Sequence, residues 1–113
     1  MEIRNEALKE AAAMLAIQMP VTIRRTTCSD DFGHYCGVRN GRHLITLGPQ
    51  SSEDANETLW HELAHASQRE QFGTEDEWHL AFNAAGWLPE TNRFEIEAER
   101  IAMAQAPSLA LVA

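Results

Sequence analysis

Apolar positions along this chain switch period twice, and the switches divide it into a helix, a sheet and a helical half. Over residues 2–18, Ile3, Ala7, Leu8, Ala11, Met14 and Leu15 keep helical spacing, and Pro20 closes the run. From Val21 the period becomes two. Val21 to Cys28 is alternating and β-branched, and Phe32 to Arg39 and Arg42 to Leu47 are two further strands around an Asn40-Gly41 hairpin turn. The pattern predicts a small, mostly antiparallel, three-stranded sheet over residues 21–47. His43 to Leu47 is expected to be its last strand, with a free edge that either accepts an extended peptide or is an ordinary sheet edge.

Beyond Gly48-Pro49 helical spacing returns. Ser51 or Ser52 is the expected N-cap of a helix over 52–72, with Glu53 and Asp54 favourable to its dipole and Gly73 just past its end. Thr74 to Glu77 reads as a capping box opening a short helix over 75–85, with Trp78, Ala81, Phe82 and Ala85 on its apolar face and Gly86 as its stop. A last helix starts at Thr91 or Asn92, runs to 106 and ends at Pro107. Phe94, Ala98, Ile101, Ala102 and Gln105 form its core-facing stripe. The apolar tail 107–113 is either a final extended segment or without fixed structure. Together these elements predict an α+β fold in one domain, 1–113.

Composition narrows the function. The 113 residues carry a net charge of −8 with no basic run, which argues against nucleic acid or an anionic membrane surface as principal partner. No run is long enough to span a bilayer, and the acidic residues before Ala11 to Ile17 do not suit a signal peptide. A cytoplasmic chain is expected, in which Cys28 and Cys36 serve as small buried hydrophobes rather than as a disulfide framework.

The candidate chemistry lies in the long central helix. His61-Glu62-Leu63-Ala64-His65 is an H-E-x-x-H pattern. Histidines four residues apart on a helix stand one above the other, so both imidazoles can reach one Zn²⁺, and the intervening glutamate can act as a general base. On a helical wheel Leu59, Trp60, Leu63, Ala64 and Ala66 gather on one side, while His61 and His65 fall opposite with Glu62 at their edge. An open catalytic zinc site needs a third protein ligand. In the last helix Glu95 and Glu97 flank the core stripe on opposite sides, and the wheel permits either. The competing interpretation makes Glu90, Glu95, Glu97 and Glu99 a solvated acidic face.

His61-Glu62-x-x-His65 followed by Glu95-Ile-Glu-Ala-Glu99-Arg-Ile-Ala102 resembles the zinc peptidases called gluzincins, in the compact forms found in phages and mobile elements. The resemblance covers residues 43–102, and its specific content is the two short motifs. It implies a zincin-like fold, Zn²⁺ as cofactor, and a peptide or protein substrate. It also implies His61, His65 and Glu95 as metal ligands, Glu62 as the catalytic base, and Glu99 as support for a histidine ligand. Glu99 stands where the family carries Asp or Asn. A third-histidine zincin, with His79 as ligand, is the other option.

The expected activity is peptide hydrolysis by a metal-activated water. Tyr35, His34, His43 and His79 are the available donors for the oxyanion. Two non-enzymatic alternatives stand beside it. One is a catalytically silent zincin-fold module that binds a protein partner; the other is a sequestering protein that exploits its acidic charge. Glu62 favours the enzyme, since a purely structural zinc site has no use for a base.

Overall fold

The computed structural model describes residues 2–3, 5–26, 32–105 and 111–112. Its elements, in order, are β1 (Glu2–Ile3), α1 (Asn5–Met14), β2 (Val21–Arg25), β3 (Gly33–Arg39), β4 (Arg42–Leu47), α2 (Ser52–Arg69), α3 (Glu75–Ala84), α4 (Arg93–Gln105) and β5 (Leu111–Val112). The result is an α+β fold with four helices and a small three-stranded mixed sheet among the described residues. No helix among them is long and apolar enough to cross a membrane.

The first helix is shorter than its periodicity suggests. Residues 2–3 pair antiparallel with Leu111–Val112 instead of starting α1, so these two residues of the tail are extended, and the rest of 107–113 lies outside the described residues. At the other end α1 closes before Pro20. Ile17 N–H donates to Ala12 O and Ala16 N–H to Ala13 O, with Ala16 at φ 56°, a left-handed stop that no glycine marks. Ala11 and Ile17 are buried beneath this turn, whereas Met14, expected on the packing face, is 58% exposed.

Strand order corrects the expected sheet. β4 lies at the centre, with β2 parallel to it on one side and β3 antiparallel on the other. One of the two pairings is therefore parallel, and His43 to Leu47 has no free edge. The outer strands are β2 and β3. The Asn40-Gly41 hairpin between β3 and β4 is present, with both residues at positive φ. The register of β3 shifts between Tyr35 and Val38, where Gly37 sits at φ 89°.

One face of the sheet packs on α1 and α2. Ile45 and Leu47 meet Leu59, Trp60, Leu63 and Ala66 of α2, with Ala11, Ile17 and Ala102 completing the cluster. Each large side chain fully buried here contributes roughly 1.5–3 kcal/mol. The α2 back predicted from the wheel is thus in the core, and so are Ala64 and Ala98. A second, aromatic cluster holds α3 and α4 together: Trp78 lies 5.2 Å from both Phe82 and Phe94, and Phe72 packs against Trp78 at 5.9 Å.

Helix ends explain how α2 and α4 come to face each other. Ser51 caps α2 by accepting the Asp54 N–H. The helix ends at Arg69, three residues before its predicted limit, where the chain tightens into i→i+3 turns from Gln71 N–H to Gln68 O and Phe72 N–H to Arg69 O. Glu70 accepts the N–H groups of Gln18 and Met19 and contacts His43, while Arg69 donates to Phe72 O and Glu75. Thr74 caps α3 and Gly86, at φ 109°, follows its C-cap. Asn92, 1% exposed, caps α4 by accepting the Phe94 and Glu95 N–H groups. Its amide nitrogen donates to Phe82 O and Gly86 O. One buried side chain thereby sets where α4 starts relative to the end of α3.

Candidate metal centre

The exposed side of α2 forms the floor of a cleft of about 1160 Å³, with β3 and α3 among its walls. Helical spacing places His61 and His65 one turn apart on that side, their rings 4.9 Å apart at 79°. Asn92 starts α4 so that Glu95, in its first turn, reaches both. Glu95 Oε1 lies 2.5 Å from His65 Nε2 and 3.6 Å from His61 Nε2. One ligating atom from each of the three residues falls within 4.8 Å of the others.

Each imidazole is also held from behind. His61 Nδ1 is 3.2 Å from Glu99 Oε2, and His65 Nδ1 is 2.8 Å from Gln68 Oε1. With a metal ion at the common point, an acceptor oxygen on each Nδ1 would keep the proton there and leave Nε2 free to ligate. Gln68 is itself immobilised, its amide nitrogen donating to Phe94 O at 2.9 Å and Glu97 Oε1 at 3.0 Å. The His65 ring leans on Phe82 and Trp78 at 5.7 and 6.3 Å.

Charge follows from these contacts. The imidazoles of His61 and His65 facing it hold the Glu95 carboxyl far below the usual carboxylate range, against the opposing effect of its burial. Burial pushes His61 down, but Glu95, Glu62 and Glu99 beside it more than offset this and raise its pKa. Burial pushes Glu62 up, with His65, His61 and His34 acting against it. Glu62 is 6% exposed, and its Oε2 has no hydrogen-bond partner. A buried carboxylate oxygen without a partner is costly, and here it lines the cleft next to the triad.

The sequence-predicted residues separate cleanly in space. His61, His65 and Glu95 come together, Glu62 adjoins them, and Glu99 contacts His61. Glu97 is turned to Gln68. His79 stands on α3 with Nε2 3.5 Å from Glu75 Oε2, outside the triad. Among the proposed oxyanion donors, His43 is fully buried between Tyr35 and Glu70: it receives the Tyr35 hydroxyl at Nδ1 (2.8 Å), and its Nε2 donates to Glu70 at 2.7 Å. Burial, then the nearby Glu75 carboxylate, push the Tyr35 phenol well above its ordinary value, so it stays a hydroxyl and is committed to His43. His34 remains, exposed and lining the cleft. Cys36 is a half-buried free thiol on β3, and Cys28 lies outside the described residues.

Three supporting residues were not anticipated for the site. Gln68 was legible only as a polar residue three positions after His65. Asn92 was one of two cap candidates, with no hint of its second partners. Glu75 accepts both the Arg69 Nε–H (2.6 Å) and the Val38 N–H (2.9 Å), with its carboxylate where a Gly37 Cβ would be. That clamp of α3 and α2 on the β3 bulge has no local sequence signature.

Scans against protein-family models, curated proteins and solved structures gave no match.

Proposed function

We propose that the protein is a zincin-like metallopeptidase that hydrolyses peptide bonds. The observation carrying this reading is the convergence of His61, His65 and Glu95 beside a buried carboxylate, Glu62, that has an unpartnered oxygen. The donor set fits Zn²⁺. Two imidazole nitrogens and one carboxylate oxygen are the ligands of an open catalytic site, and a tetrahedral ion with bonds of about 2.0–2.1 Å needs its donors roughly 3.3 Å apart. The two Glu95–histidine separations, 2.5 and 3.6 Å, lie on either side of that value. Bound zinc would acidify a water toward neutral pH and polarise a carbonyl.

The chain's own groups supply the remaining chemistry. Glu62 takes the proton of the attacking water and delivers it to the leaving amine, a dual role suited to a carboxyl whose pKa burial has raised. Glu99 and Gln68 keep both imidazoles oriented through the cycle. The outer strand β3 forms a wall of the cleft, and an extended peptide laid along it can add backbone hydrogen bonds. The expected role of β4 as a peptide-pairing edge passes to β3.

The test combines metal content with turnover. The purified protein is expected to hold one zinc per chain and to cleave an unfolded protein substrate. Glu62→Gln should keep the metal and lose about 10²–10⁴-fold in rate. Glu95→Ala should empty the site, whereas Glu97→Ala should not. A parent protein that binds no zinc, or a Glu62→Gln variant that cleaves at the parental rate, would refute the proposal.

A further inference from the structure

The cleft is lopsided in charge. Beyond the triad and Glu62, it is lined by Asp54, Glu57, Glu75, Asp76 and Glu99, and among the described residues Arg39 is its one guanidinium. Two of those carboxylates are already engaged, Glu75 with Arg69 and Val38 and Glu99 with His61. The outer field therefore comes from Asp54 and Glu57 on α2 and Asp76 at the start of α3, all exposed.

Their placement is ordered. Asp54, Glu57, His61 and His65 recur at spacings of three and four, so they form one stripe along α2. At about 1.5 Å rise per residue, Glu57 lies roughly 6 Å and Asp54 roughly 10 Å before His61 along the helix axis. An extended chain advances about 3.3 Å per residue. A substrate lying along the cleft would thus bring side chains two to three residues from the scissile bond opposite these two carboxylates. The cleft's own need for a guest is marked independently by Glu62, nine-tenths buried with an orphaned oxygen. A concave surface of one sign concentrates ligands of the other and rejects those of the same sign.

We infer that the substrate is a basic peptide segment, with Lys or Arg two to three residues from the scissile bond on the Asp54–Glu57 side and a further basic residue toward Asp76. This rests on the peptidase reading of the same site, and the test keeps the two apart. Binding is measured first, with zinc-loaded Glu62→Gln protein and short fluorescent peptides that differ only in carrying Lys, Gln or Glu at those positions. The Lys peptide should bind about tenfold more tightly than the Gln peptide, and the Glu peptide more weakly than both. High salt should shrink the difference, as should the double substitution Asp54→Asn, Glu57→Gln at unchanged zinc content. Equal binding of the three peptides, or no binding of the Lys peptide, overturns the inference. Cleavage of the same peptides by the parent protein is read separately. A preserved binding order without cleavage supports the basic-ligand inference and removes the peptidase, while cleavage with no charge preference does the reverse.

Discussion

Gln68 links the two carboxylates that the sequence could not rank. Its carbonyl oxygen fixes the His65 ring, and its amide nitrogen holds Glu97 and the Phe94 carbonyl. Glu97 is thereby drawn away from the triad, and Glu95 is the carboxylate that meets the imidazoles. Truncating Gln68 to Ala should lower zinc affinity about 10–100-fold, measured by competition with a chromophoric chelator, while far-ultraviolet dichroism stays unchanged. An affinity equal to the parent's would show that His65 needs no such support. The histidine pair was legible because its geometry is local, set by four residues of one helix. Helical spacing alone left the carboxylate open, because Glu95 and Glu97 flank the same stripe, and only the motif resemblance pointed to Glu95. The choice between them depends on a partner about 30 residues earlier in the chain.

Among the elements, helix termini rather than helix interiors set the architecture. α1 ends in a left-handed turn at Ala16, whose Cβ makes that conformation costly by about 1 kcal/mol. Ala16→Gly should therefore stabilise the protein by about 0.5–1 kcal/mol, read as an upward shift in the thermal midpoint of a few degrees. A lower midpoint would mean that the turn is held by packing of Ile17 alone. The strands themselves were readable from alternation and the Asn40-Gly41 turn. Alternation reports which face of a strand is buried, not which neighbour it pairs with. That is why β2, read as part of a mostly antiparallel sheet, in fact runs parallel to β4 with Val21 beside His43.

Across the molecule, two partly buried glutamates join distant segments. Glu70 ties the α1–β2 connection and His43 to the end of α2, and Glu75 ties the β3 bulge to Arg69. Burial raises the pKa of each, but the hydrogen bonds and charges around them more than offset it, so both lie below their ordinary values. The sign of the linkage follows. Their stabilising contribution is complete above the unfolded glutamate pKa of about 4.3 and disappears as the pH falls below it through the lowered folded values. Thermal midpoints should fall steeply on acidification through that window, and Glu70→Gln should make the fall shallower. Parallel curves for the two proteins would exclude Glu70 from the acid transition.

The central position of β4 has a further effect on how copies of the chain meet one another. It leaves two outer strands, and each carries its own safeguard. Arg24 and Arg25 are exposed on β2, setting positive charge along that rim. β3 borders a recess walled by α2, where Glu75 already takes the Val38 N–H. A neighbouring copy approaching β2 meets this charge, and one approaching β3 must first enter the recess. Edge-to-edge pairing of copies would have to overcome one or the other obstacle.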